Sequence, residues 1–406
     1  MTDAVRQNTL ASYINDIILG SFFQLPIWIV YQSSFLSYSQ IAFYTSLAII
    51  VEVLMQIPTG AFADIFGRRN SLALGNLFMA IPLFLIAFYP NQSIMLAYSI
   101  LWGTGRAFSM GTSKPILYET LIAHGKTSIY QKLLSNSIIC FQLSAAISIL
   151  LGGYLYQITP NLPYIASGSV SLLGIFTAYI FVEEKRSKSF NLNQFVSTIK
   201  GGFNSISNTT YILRLTILYA LTLGITQVAQ QQLSQPYMLE LGMGDIERSW
   251  VAMIIKIGIA FLGAKIITIS KVVDHKYFLL IIPILMLVSF IPSSLLTLPL
   301  AYFTLILIAF NSGNTELFFS GEIQSHIDSS TRSTAVSLMR MFASVVGAII
   351  MYLSSYTVNG GSVGQYYTYL GLFTLVFIIP LAYIQSHHKH KIALYHKPNQ
   401  DVIIQS

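Results

Sequence analysis

The feature that most constrains this chain is a repeat of apolar stretches, each about 20 residues long, divided by short polar connections. A helix of that length, rising 1.5 Å per residue, covers the ~30 Å hydrocarbon core of a bilayer. Twelve stretches can be marked, at roughly 11–31, 40–63, 71–89, 92–118, 133–156, 162–182, 211–235, 248–270, 277–296, 299–320, 333–356 and 364–385. They are too long for transmembrane barrel strands, which need about 10 residues of alternating polarity. Composition agrees: only 9% of the 406 residues are charged and 54% are hydrophobic, against about 25% charged in a soluble domain. A soluble enzyme and a disordered chain are both excluded. The single Cys140 allows no disulfide within the chain and no cysteine-based metal cluster.

The longest polar connection, Glu183 to Asn208, follows the sixth stretch. The expected organisation is therefore all-α: a six-helix bundle over 1–182, a linker over 183–210, a second six-helix bundle over 211–386 and a tail over 387–406. The first stretch is too long for a signal-peptide core and lacks a convincing cleavage site, so it is read as a retained span. One set of connections carries Arg6, Arg68, Arg69, Lys126, Lys132, Lys185, Arg186, Lys188, Lys200, Lys271, Lys276, Arg332, Lys389, Lys391 and Lys397, while the opposite set carries only Arg248. Basic residues in short loops stay cytoplasmic, which places both termini and the linker inside. The net charge of +7 thus marks topology, with the lipid bilayer as partner and no nucleic acid.

Between the second and third stretches the chain reads Pro58-Thr59-Gly60-Ala61-Phe62-Ala63-Asp64-Ile65-Phe66-Gly67-Arg68-Arg69. Gly60 and Gly67 allow close helix approach and a tight turn. Asp64 is a carboxylate at the membrane edge, followed by two guanidiniums able to hold carboxylates bidentately. This loop resembles the G-x-x-x-D-x-x-G-R-[RK] signature of the major facilitator superfamily, and its place in a twelve-span, 6+6 chain strengthens the likeness. Span 4, ending Leu117-Tyr118-Glu119-Thr120, looks like that of bacterial drug and metabolite exporters in the family. Span 5 carries Gly152-Gly153 where such exporters often have G-P-x-x-G-G, but Ser148-Ile149 replaces Gly-Pro.

The resemblance implies two bundles rocking about a central cavity lined by spans 1, 4, 7 and 10. It further implies a latch of Asp64 near Thr331-Arg332-Ser333 and a pairing of Arg68 or Arg69 with Glu119, both broken when the cytoplasmic side opens. In the second half, Gly263 to Lys276 stands where a degenerate copy of the loop belongs, and Glu322 then Arg332 echoes Glu119 then Lys132.

Ionisable groups at bilayer depth are costly and mark candidate sites. They are Asp16, Glu52, Arg106, Lys114, Lys256, Glu316 and Arg340. Glu52, Arg106 and Arg340 fall at similar depth, so Glu52 can pair with Arg106 inside the first half or with Arg340 across the halves. The family resemblance, in which helices 2 and 11 face each other, favours Arg340. Asp16 reads as a polar helix start near the inner edge, and Lys114 as snorkelling to the inner interface. Gln227, Gln231 and Gln235 recur every four residues and share a helix face, with Asn311 and Asn314 on span 10. Together these amides suit a moderately apolar substrate with scattered polar groups.

The histidine-rich run His387 to Lys391 reads as a solvated tail, with no metal site and no cofactor expected. No phosphate loop, zincin motif or nucleophile elbow is present. The expectation is a monomeric, non-enzymatic, proton-coupled exporter of a small organic compound or drug in a bacterial inner membrane. Proton-coupled uptake of a nutrient or siderophore is the first alternative, and a non-transporting membrane receptor the remote one.

Overall fold

A computed structural model describes residues 3–183, 192–269, 275–327, 332–359 and 361–387. The first half comprises α1 (Asp3–Gly20), α2 (Trp28–Ser33), α3 (Tyr38–Phe66), α4 (Arg68–Phe88), α5 (Gln92–Ser109), α6 (Ser113–Ala123), α7 (Tyr130–Ile158) and α8 (Leu162–Ala178). Helix α9 (Leu192–Ser207) follows. The second half comprises α10 (Thr210–Val228), α11 (Ser234–Glu240), α12 (Asp245–Ile269), α13 (His275–Phe290), α14 (Leu298–His326), α15 (Arg332–Val358), α16 (Val363–Phe373) and α17 (Ile379–His387). Among the described residues there is no strand.

Among the described residues, six continuous helical stretches are long and apolar enough to cross a membrane: 38–66, 68–88, 127–158, 210–240, 334–358 and 363–387, with shorter apolar helices at Leu162–Ala178 and Leu279–Ser294. This falls short of the twelve uninterrupted spans expected, and part of the reason is local. Residues 21–27, which include Pro26, separate α1 from α2, and residues 110–112 separate α5 from α6. The first helix also starts at Asp3 rather than near residue 11. Its polar side chains Asn8, Thr9, Ser12, Asn15 and Asp16 are all buried against the bundle rather than exposed to water.

Within the first half α4 packs on α5 and α8, α3 on α5, and α1 on α7. The large second-half core gathers Leu215, Tyr219, Tyr237, Phe290, Phe319 and Tyr367, all at most 1% exposed. The linker expected over 183–210 is not uniformly polar: α9 packs on α10 and α15 and buries Ile206.

The halves meet through two helix pairs, α3 with α15 and α7 with α12. Named contacts between them lie at the end remote from the Gly67 loop, here called the outer end. The Tyr38 hydroxyl is 3.2 Å from Ser354 Oγ, Asn359 donates to Ser39, Phe43 and Tyr352 meet edge to face at 6.5 Å, and Trp250 Nε1 donates to the Tyr154 hydroxyl at 3.3 Å.

Candidate functional site: the inner loop and the intramembrane charges

The inner loop is a tight junction. Helix α3 stops at Phe66, Gly67 takes φ +92°, and α4 starts at Arg68. The new helix has no side-chain cap of its own. Glu183 supplies one from the far end of the half: its carboxylate accepts from the backbone N–H of Arg68 at 2.8 Å and of Arg69 at 3.2 Å. A carboxylate at a helix N-terminus satisfies orphan donors and complements the helix dipole. A Cβ at Gly67 would stand 3.0 Å from Glu183 Oε2, so glycine is required there twice over.

The Arg68 guanidinium forms an ion pair with Glu119 at 3.0 Å, and Arg69 lies over the Tyr179 ring at 5.9 Å. Of the two arginines that the motif allowed as a partner for Glu119, the structure selects Arg68. Gly60 behaves differently from expectation, since nothing lies within 4 Å of where its Cβ would be. Asp64 is exposed and makes no ion pair or hydrogen bond among the described residues. Arg332 donates instead to the Ile327 carbonyl at 3.1 and 3.0 Å. Thr331, the rest of the expected latch, lies outside the described residues, as do the side chains of Ser333, Glu322 and all of Gly263 to Lys276.

Asp16 is 6% exposed. Its Oδ2 accepts from Lys114 Nζ at 2.5 Å, and the same ammonium reaches Ser137 Oγ at 2.7 Å and Ser12 Oγ at 3.3 Å. One charge pair, its carboxylate buried and its ammonium partly exposed, therefore ties together α1, α6 and α7. This corrects two expectations: Asp16 is not at a water-open helix start, and Lys114 turns inward instead of snorkelling. The reason is mutual, because each charge offsets the other's desolvation. Half-buried Cys140 stands one turn beyond Ser137 on α7.

Glu52 Oε2 lies 3.7 Å from Arg106 Nε inside the first half. Arg340 is paired with Glu316 inside the second. The Glu52–Arg340 pair that the resemblance favoured is absent from this structure. Side chains of Arg340 and Glu316 are 53% and 41% exposed, which at membrane depth requires water or a polar cavity beside them. Lys256 has no ion pair among the described residues.

The expected glutamine face is broken. Residues Ala229–Leu233 form a π-helical turn between α10 and α11, which rotates everything after it out of the 3.6-residue register. Gln231 is exposed, Gln227 half-buried and Gln235 buried, so the three do not form one polar wall. Asn311 and Asn314 are fully buried in the second bundle rather than lining an open cavity. The Asn314 amide donates to the Phe310 carbonyl at 2.7 Å, while the Asn311 side chain has no hydrogen-bond partner among the described residues. No cluster of metal-ligating side chains occurs among the described residues. His387 Nδ1 is 3.0 Å from the Tyr383 carbonyl; 388–391, the rest of the histidine-rich run, lie outside the described residues.

Two helical halves, joined at one end and holding charge pairs at membrane depth, define a multi-pass membrane transporter. The chain belongs to the Major Facilitator Superfamily, whose sequence pattern matches residues 9–351. A relative described as the uncharacterized MFS-type transporter YxaM of Bacillus subtilis (strain 168) is 23% identical over 247 residues, and the match spans 58% of each chain. The nucleoside transporter NupG, solved as a point mutant, superposes with a TM-score of 0.77 at 13% identity, covering 94% of this chain and 99% of that one. A D-xylose-proton symporter gives a TM-score of 0.72 at 15% identity, covering 94% and 97%. Both likenesses are of fold. The family consists of secondary transporters of small molecules, not enzymes.

Proposed function

We propose that this protein is a proton-coupled transporter working by alternating access, which exports a small organic or drug-like compound in exchange for protons. The observation that carries the coupling is the Asp16–Lys114 pair, whose carboxylate is buried. A carboxylate this deep is tolerable only while its cation stays in place or once a proton neutralises it. Any rocking motion or bound substrate that draws Lys114 away would leave Asp16 to take a proton, and return of Lys114 would expel it. Glu52, Glu316, Arg106 and Arg340 act beside this pair, and Gly60, Asp64, Gly67, Arg68, Arg69 and Glu119 form the gate. Export is supported by the Gly152-Gly153 pair, which sits in α7 where family exporters keep theirs. The setting is a bacterial inner membrane, with both termini inside and the chain acting as a monomer.

The test uses everted vesicles under an imposed pH gradient, with a panel of fluorescent organic compounds. Wild-type protein should accumulate a compound when the lumen is acidic, and Asp16→Asn should lose that dependence while still equilibrating the compound across the membrane. Accumulation only under the opposite gradient would establish uptake by symport. Unchanged coupling in Asp16→Asn would remove the pair from the mechanism.

A further inference from the structure

We propose that the compound carried is an organic anion whose carboxylate is bound between Lys256 on α12 and Gln142 on α7; this names the substrate class of the transporter proposed above and rests on that reading. The charges at membrane depth do not balance. Asp16 is paired with Lys114, Glu52 with Arg106 and Glu316 with Arg340, which uses every acid of the set. Lys256 is left over. It stands eleven residues into α12, about 16 Å from the outer end of that helix and so near mid-membrane. It makes no ion pair or hydrogen bond among the described residues. The helix it meets in the first half, α7, carries no carboxylate. On α11, Glu240 is at the outer end and caps α16. On α14, Tyr302 donates to Glu247 of α12, which sets the level of the two helices and leaves Glu322 about 16 Å farther in than Lys256.

Direction as well as depth separates Lys256 from lipid. Ser249, which meets Gly153 of α7, marks the α12 face turned to the first half. Exposed Trp250 and Ile254 mark the lipid face, and Val251 and Ile255 turn into the second-half core. At about 100° per residue, Lys256 falls within about 20° of Ser249 and nearly opposite Ile254. It is half-buried there. The same count along α7 puts Gln142 within about 20° of Gly153, on the face turned to α12, while Ser144 faces α1 and Ile147 the lipid. The Gln142 Oε1 is sealed from solvent with no hydrogen-bond partner among the described residues. Counted inward from the Gly153–Ser249 contact, Lys256 and Gln142 lie about 6 Å apart along the helix axes. A lysine side chain is long enough to span that interval. One carboxylate can therefore accept from the Lys256 ammonium and from the Gln142 amide N–H together, with one donor supplied by each half. A cationic compound would meet only repulsion at Lys256.

The experiment follows thermal unfolding of the purified full-length protein in neutral detergent at neutral pH, with benzoate, 1-naphthoate and octanoate each set beside its uncharged amide. At least one acid should raise the midpoint, and its amide should not. Lys256→Gln should weaken that acid by about tenfold, the size of one charge-assisted hydrogen bond. Gln142→Leu should weaken it less, and Lys256→Arg should keep it. With no ligand added, Lys256→Met should unfold at a higher temperature than wild type, because it removes a desolvated charge that nothing in the fold compensates. Stabilisation by none of the acids, equal stabilisation by the amides, or undiminished binding to Lys256→Gln would overturn the assignment. So would a lower midpoint for Lys256→Met, since the ammonium would then be held by the protein itself. Neither a pH gradient nor transport enters these readouts. Coupling lost or direction reversed with anion binding intact would count against the proposed exporter alone, and binding lost with coupling intact against the anion site alone.

Discussion

Glu183 shows how much one side chain can organise. It closes the start of α4 with two backbone hydrogen bonds, while Arg68 reaches past it to Glu119 and Arg69 covers Tyr179. Replacing it by Gln keeps the shape but removes the charge, and should cost about 0.5–2 kcal/mol of stability, the usual value of a helix cap. Gly67→Ala forces a Cβ onto φ +92° and toward the same carboxylate, and should cost roughly 1–2 kcal/mol. Thermal unfolding in detergent checks both. Asp64→Asn should behave oppositely: unfolding unchanged, since nothing described contacts the side chain, but transport reduced severalfold, because the latch it would form belongs to another conformation. Transport at wild-type level by correctly inserted Asp64→Asn protein would refute that role. The Arg68–Glu119 contact is only half legible in the sequence: the family resemblance points to Glu119 but leaves Arg68 and Arg69 both open as its partner. Glu183 is not legible at all, since it reads as the first charge of a polar linker. The signal is there all the same: a carboxylate just after a span that ends beside the start of another helix. Lys114 escapes for a similar reason, because hydropathy gives a residue's depth but not the direction it faces.

At the scale of helices, the spans are legible wherever apolar character runs unbroken, and illegible where the backbone changes within an apolar stretch. A window average passes straight over residues 21–27, which divide α1 from α2, and over the π turn Ala229–Leu233 that undoes the glutamine periodicity. The break at 21–27 is stabilised by neighbours, as irregular backbone inside a membrane must be. Phe23 N–H donates to Ser167 Oγ at 2.9 Å, and Gln24 bonds the same hydroxyl. Its carbonyl side is seated on α7, where a Cβ at Gly152 would run into the Phe23 carbonyl oxygen. Backbone cannot give way as a side-chain tip can. Gly152→Ala should therefore destabilise the first half by about 1–3 kcal/mol, in line with overpacking elsewhere. A midpoint unchanged in thermal unfolding would show that α7 and the break are not closely fitted.

For the whole molecule, the next glycine matters across the halves. A Cβ at Gly153 would collide with Ser249 Oγ on α12, at the same outer end as the Tyr38–Ser354 contact. Ser249 Oγ can rotate away from an added methyl, but Ser249 Cβ, 2.8 Å from it, moves only with α12, and a branched side chain would press on it harder. Gly153→Val should therefore wedge the outer end apart and favour the opposite conformation with little loss of stability. Faster modification of a cysteine placed at Tyr38 would report it, and an unaltered rate would count against a tight outer seal. The two-half arrangement is readable from the position of one polar linker and the distribution of basic residues. The conformation is not, because a sequence that serves two states carries the contacts of both.

Cys140 is the chain's only cysteine, half-buried on α7 and one turn from Ser137, which shares Lys114 with Asp16. The protein therefore already contains a chemical reporter beside the Asp16–Lys114 ion pair. Alkylation of the native thiol by a small uncharged maleimide, followed by intact mass, can be timed without introducing a label or deleting a background cysteine. A compound that draws Lys114 away from Asp16 would change the rate of that clock, and one that only adheres to the membrane-facing surface would leave it unaltered, so the unmodified protein can sort its own candidate substrates.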